Sequence, residues 1–182
     1  MKYLLVGGVL TPLYAEARQT QDIDLLIEIQ FTDEHLTLLS SELQKYRFQP
    51  FTTWKDTFLD WTTTHFITFL DPSGTLKIDL NLTNENEIPK NPYEKIRILA
   101  ISNRVKVKFF DIDCWAQSKE DFILGKLVYA GIQDYNDALA CWIRFEEHLD
   151  QQYLDEKSKE LDVENYWKML KEKKPVEQVY PD

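Results

Sequence analysis

Short apolar runs separated by polar breaks mark the first half of the chain, and from Ser118 onward the apolar positions recur at helical spacing instead. Tyr3-Leu4-Leu5-Val6 ends at Gly7-Gly8, the pattern of a buried strand closed by a tight turn. Val9 to Ala17 then reads as a helix with Pro12 in its first turn, where a missing N–H does no harm. Ile23 to Ile29 reads as a second strand, and the consecutive Leu25, Leu26 and Ile27 predict that both its faces are covered. Thr32 is the expected N-cap of a helix reaching about Tyr46, with Asp33 and Glu34 in its first turn and Leu36, Leu39 and Leu43 on its inner face. Arg47 to Trp54 reads as extended, and Lys55 to Thr63 fits no single period.

His65 to Leu70 and Leu76 to Leu82 predict a hairpin. Asp71-Pro72-Ser73-Gly74 supplies its turn, and Leu76, Ile78, Leu80 and Leu82 alternate with Lys77, Asp79 and Asn81. Asn84 to Pro92 is polar and contains Pro89 and Pro92, so it reads as a loop. Ile96 to Ile101 and Val105 to Phe110 predict a second strand pair around Ser102-Asn103-Arg104. Ser118, with Asp121 three residues later, starts a helix with Phe122, Ile123, Leu127 and Ala130 on its apolar face. Helices are expected over about Tyr135 to Glu147, Asp150 to Leu161 and Val163 to Lys173, with a frayed tail from Lys174 to Asp182. The order predicts an α+β fold: a mixed β-sheet flanked by helices over residues 1–117, a helical C-terminal region over 118–173 packed on that core, and a tail over 174–182.

Composition narrows the function classes. At 182 residues and 43% apolar, the chain is long enough for one domain with a sizeable core, or a domain with a helical appendage. A formal net charge of −10 argues against a free-standing nucleic-acid binder, which usually carries a basic face. It favours nucleotides, or a basic partner protein, over duplex DNA. Cys114 and Cys141 are far apart with no CxxC, as expected of reduced thiols in a cytoplasmic protein. No run approaches the ~20 apolar residues of a membrane span. The apolar opening from Met1 to Leu10 runs into Gly7-Gly8 without a signal-cleavage pattern.

The chemistry-bearing residues lie among these elements. Asp22 and Asp24 are two apart at the start of a strand, so their side chains share a face while Ile23 points to the other. Two adjacent carboxylates require cations, and a hard divalent ion with oxygen ligands suits them. Asp79, on the polar side of its strand, is a third carboxylate that a neighbouring strand can bring beside the pair. Gly7-Gly8 lets backbone approach a ligand and opens a helix whose free N–H groups suit phosphate. Arg18 and Thr20 either contact phosphate or pin the loop before the acids. Lys126 either snorkels from its helix or reaches a triphosphate. Asp134 and Asp137 also fit N-cap and first-turn acids. His35, His65 and His148 form no ligand spacing and read as structural or surface residues.

The run Leu5-Val6-Gly7-Gly8 through Arg18-Gln19-Thr20-Gln21-Asp22-Ile23-Asp24-Leu25-Leu26 resembles the signature of the polymerase-β-type nucleotidyltransferase superfamily, in particular its small prokaryotic branches, the AbiEii-like toxins and the minimal nucleotidyltransferases. Leu76-Lys77-Ile78-Asp79-Leu80 resembles the strand of the family's third carboxylate. The segment from Ser118 through Lys126-Leu127 to Asp134-Tyr135-Asn136-Asp137-Ala138 is similar to its later helices, and Leu149-Asp150-Gln151-Gln152-Tyr153-Leu154 to its tail helix.

The resemblance implies a nucleotidyltransferase-type mixed sheet and a metal-dependent transfer of a nucleoside monophosphate from a triphosphate such as ATP to an acceptor hydroxyl. Asp22, Asp24 and Asp79 would bind Mg²⁺ or Mn²⁺, Asp79 also helping to activate the acceptor. Gly7 and Gly8 would cradle the triphosphate with Arg18 and Thr20, Lys126 would neutralise phosphate charge, and Asp134 would position a ligand or brace Lys126. The acceptor would be an RNA end such as that of tRNA, a protein hydroxyl or a small molecule. The acidic balance leaves RNA to a basic partner or a homodimer cleft. A toxin or modifying role in a toxin–antitoxin pair is the implied setting.

Three departures favour an alternative, a binding or regulatory module with weakened catalysis. Val9 stands where several relatives place Ser or Thr, Ile132-Gln133 stand where many have Arg, and the chain opens directly on the first strand where relatives usually have a preceding helix. A DxD glycosyltransferase is a third reading, for which the chain is short.

Overall fold

The computed structural model describes residues 2–20, 22–59, 61–109 and 111–180, and all of their side chains but that of Thr62. Met1 of the apolar opening, Gln21 of the acid-bearing run, Asp60, Phe110 at the end of an expected strand, and Pro181 and Asp182 of the tail lie outside the described residues.

Seven strands form one mixed sheet: β1 (Tyr3–Val6), β2 (Asp22–Glu28), β3 (Gln49–Pro50), β4 (Phe66–Leu70), β5 (Lys77–Thr83), β6 (Val105–Phe109) and β7 (Ile112–Ala116), in the order β3-β4-β5-β2-β1-β7-β6. The central β2 runs antiparallel to β1 and parallel to β5. Its apolar run is covered on both faces, as its lack of alternation predicts. Leu26 packs with Leu4, Ala100 and Ile101 on one side, and Ile27 joins Ile67, Phe69, Leu80 and Leu82 in a second cluster on the other. The predicted hairpin is β4–β5. The Asp71 carboxylate holds its turn by accepting the N–H groups of Ser73, Thr75 and Leu76.

Helices cover this sheet. Helix α1 is Thr11–Tyr14, α2 Asp33–Lys45, α3 Trp54–Thr57, α4 Trp61–Thr64 and α5 Pro92–Ser102. From Ser118 the chain is helical: α6 (Lys119–Tyr129), α7 (Ile132–Phe145), α8 (Gln151–Glu160), α9 (Glu164–Lys171) and α10 (Val176–Val179). These C-terminal helices share one core with Val9, Leu10 and Tyr14, centred on Trp142 and Trp167, whose rings meet edge to face at 5.0 Å.

Four expectations are corrected. The Ile96 to Ile101 strand is instead part of α5. Asn91 caps that helix by accepting the Glu94 N–H at 2.9 Å and Pro92 fills its first turn, a start signal that outweighs the β-branched content. Val105–Phe109 therefore pairs with Ile112–Ala116, not with residues 96–101. The helix expected over Val9 to Ala17 is a 3₁₀ turn, Gly7–Leu10, followed by the short α1. Pro12 has no N–H, and the Thr11 hydroxyl donates to Gly8 O at 2.9 Å. Only Gln49–Pro50 of the segment expected to be extended pairs in the sheet, and Thr53 caps α3 from Trp54. The tail is not frayed through Tyr180: α10 packs on the core, and the Tyr180 hydroxyl donates to Ala130 O at 2.8 Å.

Candidate active site

β1 delivers the chain into its turn at Gly7, which adopts φ +67. A Cβ there would come within 2.9 Å of Asp24 Cγ, so both the backbone conformation and the space demand glycine. The sheet register sets the acids. Val6 pairs with Asp24, Asp24 with Asp79 and Asp22 with Lys77. Register partners on adjacent strands face the same side, so three carboxylates and one ammonium gather beside the glycine turn.

Their electrostatics are unequal. Asp24 is half-buried; burial, then the charges of Asp22 and Asp79, push its carboxyl up to about 6, against hydrogen bonding to the Gly8 backbone and the field of Lys126. Asp22 is pulled the other way: burial raises it, but hydrogen bonds from Thr20 and Lys77 outweigh that and leave it below the ordinary carboxylate value. Thr20 Oγ1 donates to Asp22 Oδ1 at 2.8 Å. Lys77 Nζ lies 2.6 Å from Asp79 Oδ2 and 3.2 Å from Asp22 Oδ2, and its hydrogen bond to Asp79 raises its own pKa. Thr68 Oγ1 donates to the other Asp79 oxygen at 2.8 Å.

The facing wall is built by α6 and α7. Ser118 caps α6 by accepting the Asp121 N–H at 3.1 Å, and Lys126 lies in its last turn. Only 7% of Lys126 is exposed, and its ammonium lies 2.7 Å from Asp134 and 2.9 Å from Asp137. Arg18 reaches Asp137 at 3.2 Å from the other side, and Gln133 donates to it at 3.1 Å. Burial would raise the Asp137 carboxyl, but the hydrogen bonds from Lys126 and Arg18 prevail and lower it.

Between these walls lies a cleft of about 400 Å³. Gly7, Gly8, Arg18, Thr20, Asp22, Asp24, Lys126 and Asp134 all line it. Asp79 is in register with Asp24 but lies outside the lining, 6% exposed, held between Lys77 and Thr68. Apolar side chains, among them Leu26, Phe66, Ile96, Phe122 and Tyr129, form the rest of the cleft together with Asn81 and Arg97. Sequence reasoning missed Lys77 and Arg97, and it weighed Asp137 without giving it a role at the site. Strand parity placed Lys77 on the face of Asp79. Asp137 lies one helical turn from Asp134 but reads equally as a first-turn acid, and Arg97 was hidden by the misassigned strand.

The carboxylate oxygens are a donor set that suits a hard divalent cation. As the side chains stand, the described residues hold no group of three or more His, Cys, Asp or Glu ready for an ion. Lys77 supplies the local cation instead. His35 pairs with Thr32, and His65 stacks on Phe31 at 4.3 Å. Both cysteines are free thiols. No helix among the described residues is long and apolar enough to cross a membrane.

No protein-family model matches the chain, and no curated protein matches it. Among solved structures it is similar to an antigenic nucleotidyltransferase-like protein from Paracoccidioides brasiliensis, at 17% identity over 99% of this chain and 88% of that one, with a TM-score of 0.50. It is also similar to the lincomycin-bound lincosamide antibiotic adenylyltransferase LnuA, at 15% identity over 76% of this chain and 84% of that one, with a TM-score of 0.46. The likeness is one of fold: a mixed sheet flanked by helices, of the nucleotidyltransferase type.

Proposed function

We propose that this chain is a metal-dependent nucleotidyltransferase that moves a nucleoside monophosphate from a triphosphate to an acceptor hydroxyl. One observation carries the reading: the positive-φ Gly7 turn packs directly on Asp24, which is in parallel register with Asp79, at a cleft whose opposite wall presents Lys126. Gly7 and Gly8 bring backbone to the triphosphate, with Arg18 and Thr20 beside them. Lys126, held by Asp134 and Asp137, faces its phosphate charge. The acceptor oxygen forms a bond to the α-phosphorus, the bond from that phosphorus to the β-bridging oxygen breaks, and pyrophosphate leaves. Asp79, once released from Lys77 and turned into the cleft, would take the hydroxyl proton. Magnesium or manganese would be held by Asp22 and Asp24 with Asp79, and would supply positive charge against that of the phosphates. Positioning and charge stabilisation are most of what such chemistry needs.

The test is incubation of the whole chain with Mg²⁺ and each α-labelled triphosphate, against total tRNA, a candidate partner protein and small hydroxyl compounds. Label should move to one acceptor class, and Asp22→Asn or Asp24→Asn should reduce transfer by on the order of a hundredfold or more with folding intact. Unchanged turnover in both variants would remove the mechanism. An acceptor on tRNA or on a partner protein would fit a cytoplasmic toxin or modifying component of a toxin–antitoxin pair, with a basic partner or a second copy of the chain offsetting its acidity.

Lys77 favours a second reading. Its ammonium already spans Asp22 and Asp79, and the buried Val9 offers phosphate no hydroxyl. On this reading the cleft binds nucleotide without turning it over. Saturable nucleotide binding with no pyrophosphate release under any acceptor would select it.

A further inference from the structure

The cations of the cleft are not equally occupied. Lys126 is paired with Asp134 and Asp137, and Arg18 with Asp137. Lys77, beside the cleft, is paired with Asp79 and Asp22. Arg97 lines the same cleft from α5 and, among the described residues, makes no ion pair. Its Nη2 donates to the neutral Asn81 Oδ1 at 2.9 Å, and its buried Nε has no hydrogen-bond partner. The acid one turn earlier, Glu94, is engaged elsewhere: it accepts the Lys90 N–H at 2.7 Å and the Asn91 amide at 3.0 Å. A guanidinium with no ion pair among the described residues is a place that can take an anion.

Its position says which anion. Asn81 follows Asp79 by two on β5 and shares its face, so the Arg97–Asn81 pair lies one step along the strand from the acids. The triphosphate already has its seat at Gly7-Gly8 and Lys126, and a nucleoside's base and ribose carry no negative charge. Leu26, Ile96, Ala100 and Phe66 surround this end of the cleft with apolar surface. Phe66 is 39% exposed, leaving an aromatic ring available to a ligand. We propose that this end of the cleft binds the acceptor, and that the acceptor joins an apolar body to an anionic group, a carboxylate or a phosphate, which Arg97 holds. The inference rests on the nucleotidyltransferase reading for the triphosphate's place, and it makes Arg97 a specificity-determining residue.

The test uses the whole chain with Mg²⁺ and a non-hydrolysable ATP analogue, titrated calorimetrically with phenyl phosphate, phenylacetate and the neutral phenylacetamide. One or both anionic probes should bind saturably, their difference separating phosphate from carboxylate recognition, and phenylacetamide should bind about tenfold more weakly. Arg97→Gln should weaken the anionic probe by about tenfold or more, Arg97→Lys should recover part of that, and the affinity for the ATP analogue should stay the same in both. Equal binding of anionic and neutral probes, no binding of either anion, or full binding by Arg97→Gln overturns the proposal. So does a fall in analogue affinity with probe affinity unchanged, which would assign Arg97 to the triphosphate, and so does Arg97-dependent binding of an RNA oligonucleotide where the small probes fail. Anionic probes that bind through Arg97 to a chain with no affinity for the analogue would keep this anion site and remove the nucleotidyl-transfer reading instead.

Discussion

Asp24 is held in a place that disfavours its charge, and the consequence for stability can be signed. Its pKa rises from an ordinary 3.8 to about 6 on folding, so between those values the folded chain holds a proton that the unfolded chain has lost. Stability without metal therefore falls as pH rises through that window, and the full cost, at most about 3 kcal/mol, applies above it. Asp24→Asn should accordingly raise the melting temperature of the metal-free chain at pH 8, by about 1–3 kcal/mol of stability, and change it little at pH 4. The same variant should lose any stabilisation by Mg²⁺ with a triphosphate analogue. Thermal unfolding at the two pH values checks this, and equal effects at both would refute the assignment. Gly7 carries the complementary constraint. Gly7→Ala forces a side chain into φ +67 and against the Asp24 carboxylate, which should cost about 1–3 kcal/mol in urea unfolding and weaken nucleotide binding with it. Both residues were legible in the sequence, because glycines after an apolar run and acids two apart on a strand are local signals. Lys77 was visible only as one more polar position, since its meaning depends on the strand beside it.

Helix α5 shows where element-level legibility stopped. Ile96-Arg97-Ile98-Leu99-Ala100-Ile101 is apolar at nearly every position, because Ile96 faces the C-terminal core while Ala100 and Ile101 face the sheet. An element covered on two sides loses its period, and a short apolar run then fits helix and strand equally. The arbiter lay upstream in Asn91-Pro92-Tyr93-Glu94, where the Asn91 amide also returns a hydrogen bond to Glu94 at 3.0 Å. Elements with one polar face, such as β5 with Lys77, Asp79 and Asn81 on the side of the cleft, were readable for the opposite reason. Asn91→Ala should cost about 1 kcal/mol in urea unfolding, whereas Asn91→Ser, which keeps an acceptor for the Glu94 N–H and adds no charge beside the Glu94 carboxylate, should cost only a few tenths. Because α5 brings Ile96, Arg97 and Ala100 to the cleft, only the alanine variant should also weaken ligand binding. Equal losses in the two variants would show that the cap is not what positions the helix.

The cleft exists only when the two halves of the chain meet. Arg18 and Asp137 are 119 residues apart, and no local pattern announces their ion pair. The same holds for the C-terminal segment, which the sequence assigned to a frayed tail. Tyr180 donates to Ala130 O at 2.8 Å, and Tyr135 of α7 donates to Lys174 O at 3.0 Å. Ala130 has φ +53 in the connection between α6 and α7, the short link that separates Lys126 from Asp134. A strained link is kept only where its surroundings determine it, and α10 with Tyr180 is part of those surroundings. Removing residues 175–182 should therefore act at a distance. Loss of the Val176, Val179 and Tyr180 packing should cost about 2 kcal/mol of stability. Freed of its Tyr180 bond, the link should let Asp134 drift from Lys126 and weaken triphosphate binding severalfold. Tyr180→Phe, which keeps the ring and removes the hydroxyl, should show about 1 kcal/mol of the stability loss. Calorimetric titration of a triphosphate analogue into the whole chain, the truncated chain and Tyr180→Phe separates the two effects. A truncated chain that is less stable yet binds the analogue as tightly as the whole chain would show that the segment braces the core without setting the phosphate wall.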